Sequence, residues 1–135
     1  MYAFIQNRDQ STESRKKAQE LGALGEQIAT RYLEDLGYVV IDRNYRGGRH
    51  EIDVIALDGN ELVFVEVKTR SNTRYGSPEE AVDHRKRAGI LRAANRYIIS
   101  NKRKENPRMD VVAIVTDGEV PQITHIKNAY NSFLY

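Results

Sequence analysis

The stretch HEIDVIALDGNELVFVEVKTR, residues 50–70, constrains the fold of this chain more than any other. Side chains alternate across a strand, and Gly59-Asn60 between two β-branched runs is a hairpin signal. With Asp58 facing Glu61, the alternation sorts the two strands into faces. One carries Ile52, Val54, Ala56, Val63, Val65 and Val67, a uniformly apolar surface of the kind a helix covers. The other carries Ile55, Leu57, Leu62 and Phe64 near the turn and gathers Glu51, Asp53, Glu66 and Lys68 at the far end. The same register sets Asp53 opposite Glu66 and Glu51 opposite Lys68.

Carboxylates directly opposite on neighbouring strands repel each other, and partial burial worsens the repulsion. A hard divalent cation, Mg²⁺ or Mn²⁺, relieves it, because such ions bind through one or two carboxylates together with water and substrate phosphate. Lys68, two residues beyond Glu66, points to the same face as a compact positive charge. Two acids, a lysine and a hard cation can hydrolyse a phosphodiester: the ion acidifies water, while ion and lysine stabilise charge on the phosphate. The competing reading is a surface hairpin whose acids and lysine form cross-strand salt bridges. Against it stand the four apolar residues sharing that face, which suit a cleft better than a wet surface.

At 135 residues and 40% hydrophobic content the chain supports one domain with its own core. Residues 1–13 lack periodicity and read as a flexible N-terminal arm, leaving 14–135 as the domain. From Ser14 to Leu36, apolar positions Leu21, Leu24, Ile28, Tyr32 and Leu36 recur at helical spacing, ahead of Gly37. YVVIDRNY reads as a strand and RGGR as a glycine-rich turn into the hairpin. Ser77-Pro78-Glu79-Glu80 combines an N-cap, a first-turn proline and a capping box, predicting a helix to about Ser100. Pro107 ends a basic linker, and MDVVAIVTDGEVPQITHIKN gives two further strands around Asp117-Gly118. Helix, three strands, helix and two strands predict an α/β fold with a mixed sheet flanked by helices.

Glu26 in GALGEQIAT has small neighbours at helical spacing, Gly22, Ala23, Ala29 and Thr30, so its carboxylate could approach another backbone such as the sheet. A net charge of +2 says little, but between His84 and Lys104 there are eight Lys and Arg residues and no acid. Arg46, Arg49, Arg70, Arg74, Arg85 and Lys86, with Arg43, bracket the expected cleft and could track a nucleic-acid backbone; a solvated surface is the other reading. Tyr45 and Tyr75 could stack on bases or simply pack. Asp110 at a strand start reads as structural. The three histidines lack metal-ligand spacing, although His50 adjoins the site. Cysteine is absent, which fits a reducing compartment, with the cytoplasm as the default. No apolar run approaches the roughly 20 residues a membrane span needs.

These residues resemble the PD-(D/E)xK nuclease superfamily, in which an acid on one hairpin strand precedes an acid-x-lysine on the next. More closely, GALGEQIATRYLEDLGY, NYRGGRHEIDVIA, LVFVEVKTR, YGSPEEAV and MDVVAI, in this order, look like the YraN family of bacterial proteins, related to archaeal Holliday-junction resolvases. The resemblance covers roughly residues 18–130. It implies a restriction-endonuclease-like fold in which Asp53, Glu66 and Glu26 hold Mg²⁺ or Mn²⁺ and Lys68 assists the water or the phosphate. Glu51 and His50 are accessory there, and His50 stands where the family usually has glycine, implying a bulkier entrance to the strand. It further implies an endonuclease acting on DNA, branched or junction DNA included, and by analogy with resolvases a homodimer. The reading from a different class is a nuclease-like fold that binds nucleic acid or protein without turnover.

Overall fold

The computed structural model describes residues 2–72 and 84–130, with side chains from residue 12 onward. Helix α1 (Tyr2–Asp35) leads into strands β1 (Val39–Gly47), β2 (His50–Asp58) and β3 (Glu61–Arg70). Helix α2 (His84–Ser100) then precedes β4 (Asn106–Val115) and β5 (Gln122–Ile126). The five strands form one sheet in sequence order, antiparallel except for the parallel pair β3 and β4, whose crossover contains α2. The architecture is the expected mixed α/β sheet with helices on both faces, consistent with a restriction-endonuclease-like fold. No helix among the described residues is long and apolar enough to cross a membrane.

Helix α1 begins at Tyr2, ahead of Ser14, where the helical spacing of apolar residues starts. No Gly or Pro precedes Gly22, so nothing in the backbone stops the helix from propagating toward the N-terminus. The buried stripe of α1 is also narrower than expected. Gly25, Ala29 and Leu33 are buried, Ile28 and Tyr32 flank them, and Leu24 and Leu36 stand exposed. Small residues set that stripe: a Cβ on Gly25 would overlap the Thr69 side chain, so the helix lies almost against β3 there. The expected start of α2 at Ser77 to Glu80 lies outside the described residues, as do Arg74 and Tyr75.

Two apolar layers result. Under α1, Ala29, Leu33 and Tyr38 pack on Val54, Ala56, Val63, Val65, Val112 and Ile114. Under α2, Ile90, Ala93, Ala94 and Tyr97 pack on Ile52, Ile55, Leu62, Phe64 and Met109. Ile52 thus lies on the α2 side, not with Val54 as strict alternation requires. Across the ladder in β1, Asn44 has a φ of 54° between the paired positions Arg43↔Val54 and Tyr45↔Ile52. A left-handed residue inside a strand breaks the two-residue repeat, and asparagine is among the few residue types that tolerate it.

The end of the sheet holding the β2–β3 turn is fastened by a buried polar cluster. Arg108 donates to Asp110 through Nε (2.9 Å) and Nη2 (3.0 Å), to Asp58 (3.0 Å) and Glu61 (2.8 Å) through Nη1, and to the Tyr38 hydroxyl (2.6 Å). Asp110 is fully buried and also accepts from the Asn128 N–H at 3.1 Å. Nε2 of His125 lies 2.7 Å from Asp110 Oδ2 and Nδ1 lies 3.1 Å from the Tyr32 hydroxyl. A proton on Nε2 therefore makes the ring a donor to the carboxylate and an acceptor from the tyrosine. Burial works against the Asp110 charge, but the His125, Arg108 and Asn128 hydrogen bonds outweigh it and hold its pKa below the usual range. The structural role expected for Asp110 is the one it occupies.

Candidate metal centre

The predicted register holds where the hairpin is paired, from Asp58↔Glu61 through Val54↔Val65. Beyond that point the ladder stops. Asp53 Oδ2 accepts the Val67 N–H at 2.7 Å, so a side chain takes the place of a strand partner where β2 and β3 part. Asp53 and Glu66 are therefore not a cross-strand pair; they stand at the fork, with β4 continuing alongside β3 through Arg70↔Val115.

The fork gathers acids. One oxygen each of Glu26, Glu51 and Asp53 lie within 4.8 Å of one another, all three side chains being partly buried. Glu26 reaches the group because Gly25 lets α1 close on Thr69, a close approach that the sequence suggested from the small neighbours of Glu26. Glu51 joins it from β2, two residues before Asp53. The Asn44 amide sits between two of the acids. In the orientation that presents its NH₂ group, it lies 2.7 Å from Glu51 Oε1 and 3.1 Å from both Glu26 oxygens.

Two arginines stand next to the acids. Arg43 Nη2 stands 4.0 Å from Glu26, and Arg46 Nη2 stands 3.5 Å from Glu51 with its side chain 67% exposed. An exposed pair of that kind contributes little. Burial, reinforced by Glu26 and Glu66 and opposed by the Val67 N–H and Lys86, pushes Asp53 up to about 7. Burial and the adjacent Glu51 also raise Glu26, with Arg43 and Asn44 pulling the other way. The acids of the fork thus favour a proton or a cation among them.

Glu66 is buried as well, close enough for its charge to act on Asp53. Lys68 Nζ lies 3.6 Å from Glu66 Oε1, a long contact between two largely buried groups. The Tyr130 hydroxyl donates to Glu66 Oε2 at 3.5 Å, and the Arg87 guanidinium lies 4.5 Å above the Tyr130 ring. Burial and the charge of Glu66 hold the Tyr130 phenol well above its ordinary pKa, so it remains a donor. The structure therefore groups Glu26 and Asp53 with Glu51, and sets Glu66 and Lys68 beside them. Asn44 and Tyr130 went unnoticed in the sequence. Asn44 carried a signal, a turn-forming residue inside a β-branched run; Tyr130, remote in sequence, carried none.

The predicted phosphate-contacting residues divide. Arg46 leans toward Glu51, Arg70 is exposed at the end of β3 and donates to the Thr69 carbonyl at 3.2 Å, and Arg85 and Lys86 are exposed on the first turn of α2. Tyr45 packs edge-on against Tyr97, 5.0 Å between centroids, and is a core residue rather than a base platform. The His50 ring lies against the backbone of α2, where a Cβ on Gly89 would overlap it.

The model of the family described as "Uncharacterised protein family UPF0102" matches residues 25–114, from the close approach at Gly25 to the end of β4. A UPF0102 protein of Alkaliphilus oremlandii is 42% identical over 114 residues, covering 82% of this chain and 97% of its own. One from Bacteroides thetaiotaomicron is 44% identical over 111 residues, covering 82% and 92%, and one from Rhodococcus opacus is 46% identical over 112 residues, covering 82% and 95%. Glu26, Glu51, Asp53, Glu66 and Lys68 all fall inside the matched region, and the chain belongs to the UPF0102 family.

Proposed function

We propose that this chain is a metal-dependent nuclease of the PD-(D/E)xK type, hydrolysing phosphodiester bonds of DNA. The observation that carries the reading is the convergence of Glu26, Glu51 and Asp53 within 4.8 Å, with burial pushing the Asp53 carboxyl up, near the largely buried Glu66–Lys68 pair. An all-oxygen donor set suits Mg²⁺ or Mn²⁺ rather than a thiophilic metal. When bound, such an ion supplies Lewis acidity toward a phosphate oxygen and acidifies water. The residues do the rest. Asp53, fixed by the Val67 N–H, would hold the ion at the fork together with Glu26 and Glu51. Lys68 presents its ammonium to the non-bridging phosphate oxygens or orients the attacking water, and Glu66 steadies Lys68. Tyr130 restrains Glu66. Branched DNA is the substrate form suggested by the resolvase resemblance, and the absence of cysteine suits action in the cytoplasm.

The Lys68 to Glu66 contact also favours a second reading, a nuclease fold that binds nucleic acid without turnover, because a lysine paired to a carboxylate is partly withdrawn from a substrate. Cleavage of duplex and branched DNA with Mg²⁺ or Mn²⁺ separates the two. The nuclease reading predicts that Asp53→Asn and Lys68→Ala each lower the rate on the order of 10²–10³-fold. Only Asp53→Asn should also lose the stabilisation by Mn²⁺. Identical background cleavage by the native protein and both variants would leave the binding reading in possession.

A further inference from the structure

We propose that the cavity between the β1–β2 turn and α2 is an anion site that seats one phosphodiester group of the nucleic-acid backbone. It rests on the preceding reading for the class of ligand, and adds a contact away from the acids. The cavity encloses about 340 Å³, at the lower end of the range of about 300–1,000 Å³ that takes small ligands. Two close approaches build it. A Cβ on Gly47 would stand 2.8 Å from the Ala93 Cβ, and one on Gly89 would overlap the His50 ring, so turn and helix meet through glycine. Gly48, with a φ of 73°, carries the turn around the opening, and Arg96 Nη1 lies 3.8 Å from where its Cβ would be.

The polar lining is Arg49 from the turn, His50, and Arg92 and Arg96 one helical turn apart on α2. Among the described residues, no acid and no apolar side chain lines it. Among the described residues these three arginines take part in no ion pair, whereas Arg43 and Arg46 on the neighbouring strand face carboxylates. Three exposed arginines line one half-open concavity and repel one another, and an anion between them makes the local interaction favourable. The planar guanidinium fork matches phosphate oxygens two at a time and gives up water more readily than an ammonium.

The test is binding of a short fluorescein-labelled DNA duplex in EDTA over a series of KCl concentrations. It compares native protein with the variant Arg49→Gln/Arg92→Gln/Arg96→Gln. One seated phosphate predicts that the triple change lowers the slope of log K against log salt by about 0.9, most of it already present in Arg92→Gln/Arg96→Gln. A fall near 2.7, three times about 0.9, would mean three separate surface contacts and would overturn the proposal. So would native affinity in the triple variant, or no binding by the native protein. Should the triple variant not fold, Arg96→Glu alone must lose affinity by at least the same mechanism, and its failure to do so overturns the site. EDTA removes hydrolysis from the readout. A protein that shows the slope change but never cleaves DNA with Mn²⁺ overturns the nuclease reading alone; one that cleaves while the slope stays unchanged overturns the anion site alone.

Discussion

Asp53 carries the sharpest consequence at the scale of single residues, because its folded pKa of about 7 lies far above the ordinary 3.8. A raised folded pKa means that the protein binds the proton more tightly than the unfolded chain. The stabilising contribution is thus complete below about pH 4 and is lost as pH rises through 7. Asp53→Asn keeps an oxygen for the Val67 N–H and removes the charge. Without metal, thermal unfolding should show the variant more stable than native protein at pH 8 by a few kcal/mol, and matched to it at pH 4. A variant less stable than native at pH 8 would count against the strained carboxylate. Asn44 gives a second prediction. Asn44→Gly retains the φ of 54° and removes the amide between Glu26 and Glu51, so Mn²⁺ affinity should change while the fold is retained within about 1 kcal/mol. Asn44→Val should add strain of order 1–3 kcal/mol, measurable by urea unfolding. The acids and lysine were legible in the sequence because their types and two-residue spacing carry chemistry directly. Their grouping was not, because Glu26 comes from α1 and reaches the other acids only through the packing of Gly25 against Thr69.

At the scale of elements, the close approach of α1 to β3 decides whether Glu26 belongs to the site. Gly25→Ala should push the helix from Thr69, cost on the order of 1–3 kcal/mol by overpacking, and weaken Mn²⁺ binding at the same time. Calorimetric titration together with thermal unfolding reads both effects; unchanged metal affinity in a destabilised variant would remove Glu26 from the ligand set. The order of elements followed from periodicity, turn residues and β-branched runs. The helical stripe was misjudged at Leu24 and Leu36 because apolar spacing marks where a helix could be buried, whereas glycine and alanine mark where it comes closest. The length of α1 was underestimated because polar residues without periodicity still continue a helix once it is nucleated.

The whole molecule separates its stabilising cluster from its chemistry. Arg108, Asp110 and His125 lock the end of the sheet at the hairpin turn, and Asp53, Glu66 and Lys68 occupy the end where β2 and β3 part. Arg108→Met would leave the fully buried Asp110 short of its main partner, at a cost of about 3–5 kcal/mol in chemical unfolding. The pH signs of the two ends are opposite. Asp110, held below its ordinary pKa, stabilises above about pH 4 and releases that contribution as pH falls further, while Asp53 is relieved by the same acidification. Nothing in the sequence order announces this division, since Asp58 and Asp53 lie five positions apart on one strand and serve different ends. The central claim is that the fork holds a divalent cation. Anomalous diffraction from Mn²⁺-soaked crystals tests it most directly: the account predicts a peak among the carboxylates of Glu26, Glu51 and Asp53, and a fork with no peak at saturating Mn²⁺ would contradict it.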